Sequence, residues 1–119
     1  MKITNENDLL QFLIKYFPNF ETVWNSENNY FLEGNDFTSH GICAEFSGYF
    51  KEHYNEFSEE QLKILFNTFE ELIENSAIGD KLGNAVCSCF LENISQTESG
   101  NLAKQFMGKR SQSFFKFWN

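Results

Sequence analysis

A chain of 119 residues is sized for one domain with a sizeable hydrophobic core. Its formal net charge of −8 disfavours nucleic acid and anionic membrane as direct ligands and favours cationic proteins. The charge is unevenly placed: Glu21 to Glu74 hold twelve acids against Lys51 and Lys63, no acid follows Glu98, and the last 21 residues add Lys104, Lys109, Arg110 and Lys116.

Aromatics make up 18% of the chain, with fifteen Phe, so the expected core is built from rings. Each buried ring removes about 150–250 Å² from water, which offsets a modest branched-aliphatic content. The first apolar run, Leu9 to Phe17, is interrupted by Gln11 and Lys15 and is too short to span a bilayer. With no basic-then-apolar leader ahead of it, cytoplasmic residence is expected. Three cysteines, Cys43, Cys87 and Cys89, are an odd number in apolar-patterned segments, which points to free, buried thiols in a reducing compartment.

In chain order, Leu9, Leu10, Leu13, Ile14 and Phe17 follow helical spacing, with Asn5 or Asn7 as cap and Pro18 as stop. Phe20, Val23 and Trp24 predict a second, short helix. Asn25 to Asp36 reads as a loop with room for one helical turn. A long helix follows, with Phe37, Cys43, Phe46, Phe50, Tyr54 and Phe57 on its inner face; Gly41 and Gly48 predict a kink or a close helix contact. Ser58 and Gln61 form a capping box that opens the cleanest helix. Its inner face is Leu62, Leu65, Phe66, Phe69, Leu72 and Ile73, and its outer face is Glu59, Lys63, Asn67, Glu70, Glu71 and Glu74. Ser76 to Gly79 closes it, and Asp80 opens another helix facing inward through Leu82, Ala85, Val86, Cys89, Phe90 and Ile94. Gly100 to Met107 predicts a short helix and Gly108 to Ser111 a turn, before an aromatic tail from Phe114 to Trp118 that needs a docking place. Val occurs only at positions 23 and 86, and nothing has a period of two. The expected fold is therefore all-α: one domain over residues 1–119, an irregular bundle of five to seven helices.

Catalytic patterns are missing. His40 and His53 lie thirteen residues apart, and neither sits in a base or ligand motif. No G-x-S-x-G or H-E-x-x-H occurs, and Gly79 to Gly83 lacks the Lys and Ser/Thr of a phosphate-binding loop. Glu59-Glu60 and Glu70-Glu71 are adjacent, so on a helix their side chains diverge and read as a solvated face. Cys87 and Cys89, two apart, have the wrong spacing for a metal site. Neither metal nor cofactor is expected, and the chain reads as a non-catalytic binding module. A strong negative field speeds encounter with a basic partner to about 10⁸–10⁹ M⁻¹s⁻¹ at low salt. Acidity for solubility alone is the competing reading.

Three stretches carry a likeness to a known family: Tyr54-x-x-Phe57; Leu65-Phe66-x-x-Phe69-Glu70; and Gly83-Asn84-Ala85-Val86-Cys87-x-Cys89-Phe90-Leu91-Glu92-Asn93. With the aromatic C-terminus, they resemble the small acidic all-helical immunity proteins encoded beside bacterial toxins of contact-dependent growth inhibition and related polymorphic toxin systems. The likeness runs from Phe46 to Ser95, about half of the chain. It implies no catalytic activity, cytoplasmic residence, and one-to-one occlusion of a cognate toxin domain, commonly an RNase or tRNase. Under that implication the partner-binding acids are Glu33, Asp36, Glu45, Glu52, Glu56, Glu59, Glu70, Glu71 and Glu74, with Tyr30, Phe31 or Tyr49 as anchors, on a monomer or weak dimer. Glu92 is expected to be structural, capping or pairing with Lys104 or Arg110. Two other classes stay open: an adaptor or regulator that binds a basic cytoplasmic protein, and an enzyme with an unfamiliar carboxylate site.

Overall fold

A computed structural model describes residues 3–27, 38–74 and 81–116. The first helix, α1 (Glu6–Tyr16), starts where Asn5, in extended conformation, accepts the Asp8 N–H through its side chain at 2.9 Å. Asp8 in turn accepts the Thr4 N–H and hydroxyl at 3.0 and 2.8 Å, which lowers its pKa. The helix stops at Tyr16 because Phe17 precedes Pro18 and must leave helical dihedrals. Two residues on, α2 (Phe20–Glu27) buries Phe20 and Trp24.

Thr38 caps α3 (Ser39–His53) through the Gly41 N–H at 2.9 Å. A 3₁₀ turn, Tyr54–Glu56, leads to the capping box: the Ser58 N–H donates to Gln61 Oε1 at 2.8 Å, and the Gln61 N–H donates back to Ser58 Oγ at 3.1 Å. This box opens α4 (Glu59–Glu74). The Gln61 amide also donates to the Tyr16 carbonyl at 2.8 Å, tying the end of α1 to the start of α4.

Next comes α5, which begins as Lys81–Ala85, widens into a π-helical segment at Val86–Leu91 and returns to α geometry at Glu92–Ile94. Gln96 turns the chain with φ of 59°, and Thr97 caps α6 (Glu98–Ala103). A 3₁₀ turn at Lys104–Phe106 and a final helix, α7 (Lys109–Phe115), complete the set. The fold is all-α, with seven helices and no strand among the described residues. Among these residues, no helix is long and apolar enough to cross a membrane.

Several expectations change in detail. The long helix ends at His53, which leaves Tyr54 and Phe57 half-buried in the corner beyond it. Gly48 faces open space, with nothing within 4 Å of a Cβ there, so it marks no helix contact. The predicted turn at Gly108 to Ser111 is the start of α7. Phe37, the predicted helix end at Ser76 to Gly79, and Asp80 lie outside the described residues, as does most of the Asn25 to Asp36 loop.

The core is aromatic, as the composition predicts. Phe90 is fully buried, and its ring lies 5.7, 5.3, 5.9 and 5.0 Å from those of Phe46, Phe50, Phe66 and Phe69. Edge-on packing extends the cluster through Phe17 and Phe20, each within 5.2 Å of Phe46. The π segment explains one register error. There the Glu92 N–H reaches back to Cys87 O, one residue further than in an α-helix, so Leu91 turns inward and Cys89 is left half-buried. Asn93 then braces the wide turn, donating to Cys89 O at 2.7 Å and to Ser47 Oγ of α3 at 3.2 Å. The close seat of α6 on the end of α5 needs Gly100, where a Cβ would run into the Ile94 carbonyl and sit 3.0 Å from the Phe115 ring.

Phe90→Ala removes the ring that four others share, and the expected loss of stability is about 3–5 kcal/mol by urea denaturation. Phe90→Leu should cost less than half of that, and equal costs for the two would show that the ring cluster does not hold the core.

Candidate protein-binding site

The turn between α3 and α4 folds a short stretch of chain into a corner that carries four acids. Glu52 lies on the last turn of α3, Glu56 ends the 3₁₀ turn, and Glu59 and Glu60 open α4. The side chains of Glu52, Glu56 and Glu59 are 80%, 64% and 72% exposed. Aromatic side chains support them: His53 lies 4.8 Å from the Tyr49 ring, and Tyr49 lies 5.7 Å from Phe57. His53 Nδ1 is 2.7 Å from Glu56 and its Nε2 3.8 Å from Glu52, so the imidazole bridges the two carboxylates. Burial first, and the Glu56 charge second, push the Tyr49 phenol up. Burial and a hydrogen bond to Glu98 do the same for Tyr54, which places a fifth acid, from the start of α6, beside the corner.

The nine acids singled out from sequence therefore do not form one face. Glu52, Glu56 and Glu59 come together at the corner. Glu45 is half-buried, about 10 Å before Glu52 along α3. Glu71 and Glu74 are exposed, but they lie about 18–22 Å along α4 from Glu59. Glu33 and Asp36 lie outside the described residues, as do Tyr30 and Phe31, and Tyr49 is 7% exposed, too deep for an anchor. The corner acids missed from sequence are Glu60, set aside as half of a diverging pair, and Glu98, which no local pattern links to Tyr54.

Glu70 departs most from expectation. It accepts the Arg110 N–H, the Ser111 N–H and the Ser111 hydroxyl at 2.9, 2.9 and 2.8 Å. Those two amides are orphan donors in the first turn of α7, whose cap position is Gly108 and has no side chain to satisfy them. Glu70 thus caps a helix about forty residues away, and a Cβ at Gly108 would collide with its carboxyl group. Partial burial opposes the charge, but the hydrogen bonds from Arg110 and Ser111, with the Arg110 charge, hold the carboxyl below its usual range. Glu70 is accordingly committed to the fold. The structural role expected of Glu92 falls to Glu70 instead, since among the described residues Glu92 makes no ion pair with Lys104 or Arg110.

Among the described residues the corner holds one histidine, His53, set against Glu52 and Glu56. His40 and His53 sit on one helix about 20 Å apart. Burial pushes up the thiols of Cys43, Cys87 and Cys89, with Glu70 adding to it at Cys87 and Glu92 at Cys89, which keeps all three protonated. Among the described residues, no group of three or more His, Cys, Asp or Glu is placed to hold a metal ion.

Glu70→Ala should lower stability at neutral pH by about 1–2 kcal/mol, the usual worth of a helix cap. Gly108→Ala should cost a similar amount, and the two losses should be less than additive because both remove one cap. Because folding lowers the Glu70 pKa, its contribution is present above the unfolded-state value and fades as pH falls through the folded one. The gap between wild type and Glu70→Gln in urea should accordingly narrow on acidification, and a gap that widened would contradict the capping role.

No curated protein and no solved structure matches the chain. The family described as Domain of unknown function (DUF7674) matches residues 10–119, nearly the whole chain. Because that match covers all but the first nine of the 119 residues, the chain belongs to the DUF7674 family.

Proposed function

We propose that this domain is a non-catalytic immunity protein: a cytoplasmic, one-to-one binder that neutralises a basic toxin domain of RNase or tRNase type. The observation that carries the reading is the acidic corner. Its carboxylates project from a turn fixed by a capping box and an aromatic floor, with Glu56 held 2.7 Å from His53. The substrate cleft of a nuclease is positive because it holds phosphates, and a set of carboxylates presented from one corner can occupy it. Speed also matters against a toxin made in the same cell, and a net charge of −8 raises the encounter rate with a cationic surface. The likeness over Phe46 to Ser95 supports the same assignment, because that stretch contains most of the corner and the ring cluster beneath it.

The test is co-expression with the basic C-terminal domain of the protein encoded beside this one, scoring growth rescue and binding kinetics at low and high salt. Rescue is expected, with nanomolar affinity that weakens as salt rises. The double variant Glu52→Lys with Glu56→Lys should slow association by at least about tenfold at low salt and flatten the salt dependence. Tight binding that ignores both salt and these substitutions would move the interface away from the corner. Absence of binding and rescue would remove the immunity role and leave an adaptor for some other basic protein as the better reading.

A further inference from the structure

At the other end of the molecule, a cleft of about 510 Å³ is lined by Lys104, Lys109, Gln112, Ser113, Phe115 and Lys116. Among the described residues, no carboxylate lines it. Among the described residues, none of its three ammonium groups lies within 4.0 Å of an acid, in a chain that has seventeen acids. Three cations brought to one concavity repel each other, and among the described residues no ion pair offsets them. The cleft is also built from fixed parts. The Gln112 amide donates to the Lys104 and Met107 carbonyls at 3.3 and 3.0 Å, which clamps α7 to the preceding 3₁₀ turn. Phe115 is fully buried, and Glu70 seats the helix from the far side.

We propose that this cleft binds a small phosphate-bearing ligand with two or more negative charges, of the diphosphate or triphosphate class. Its volume falls within the range of about 300–1,000 Å³ typical of small-molecule sites. The lining favours phosphate over carboxylate: lysines act as point charges that surround a tetrahedral group, whereas planar carboxylates suit the arginine fork. Arg110 faces an adjoining cleft, which shares Lys109 and Ser113 with the first and adds Glu70, Glu74 and Cys87. Ser113 supplies a hydroxyl donor, and the Gln112 amide nitrogen is already engaged. A long nucleic acid is disfavoured because its remaining phosphates would meet the anionic body.

The full-length protein would be titrated calorimetrically at low chloride with inorganic pyrophosphate and triphosphate, alongside orthophosphate and citrate. Saturable one-to-one binding is expected, tightest for triphosphate and weakest for orthophosphate and citrate. Lys104→Gln, Lys109→Gln and Lys116→Gln should each weaken triphosphate binding by about tenfold, while Lys63→Gln leaves it unchanged. In the wild type, amide resonances from Lys104 to Lys116 should shift most on titration, which keeps the test decisive if a lysine variant misfolds. The proposal is overturned by an absence of saturable binding, by citrate binding as tightly as triphosphate, by shifts centred elsewhere, or by a short oligonucleotide that outcompetes triphosphate for the same lysines.

Discussion

The hydrogen bonds that run from the first turn of α7 to Glu70 decide where the basic end of this chain comes to rest. A helix of seven residues is too short to hold itself in water, and its cap position, Gly108, offers nothing to its own amides. Docking needs both a buried side chain and a terminus satisfied from outside. Phe115 supplies the first and Glu70 the second. The glycine is then a steric requirement, because any side chain would occupy the space of the carboxylate. One acid of the anionic body is thereby spent on holding the basic tail, and the other basic groups are left facing outward.

Seating α7 at the end of α4 has an electrostatic consequence. The corner acids stand at the first turn of α4 and Glu70 in its last two turns, about 16 Å away along the axis. At physiological ionic strength charges are screened over about 8 Å, so the two ends are roughly two screening lengths apart. The lysines of α7 therefore do little to cancel the field at Glu52, Glu56 and Glu59, whereas Lys104 stands about 9 Å along α6 from Glu98. A molecule with the same composition but mixed charges would present neither a negative corner nor a positive cleft. This separation lets the two proposed sites act independently, one on a basic protein and the other on a small anion.

Legibility from sequence followed the range of each interaction. The Asn5 cap, the Pro18 stop and the Ser58–Gln61 box join residues no more than four apart, and all were readable. The inner face of α4 was equally plain, because a regular 3.6-residue period fixes it. In α5 the same period passed over Leu91, which is fully buried, and put Cys89, half-buried against the core, on the inner face, since a π turn adds a residue where no sequence signal marks it. Helix α7 was read as a turn because its capping residue lies about forty positions earlier. Glu98 escaped for the same reason: its neighbour Tyr54 belongs to a different helix pair. The candidate site was thus half readable, its acids visible as residues but not as a corner.

Helix dipoles separate the acids that serve the fold from those that do not. Glu59 and Glu60 lie in the first turn of α4, where a negative charge is favourable by about 0.3–1 kcal/mol, so folding alone accounts for them. Glu52 and Glu56 are placed the other way. They sit at the C-terminal end of α3, where the partial charge is already negative and where Lys51 and His53 are the residues that belong. His53 bridges the pair and offsets part of the repulsion when it is protonated. Solubility would be served as well by acids at any exposed position. Under the proposed function, Glu52 and Glu56, gathered around His53, rather than the more numerous acids of α4, form the centre of the proposed interface.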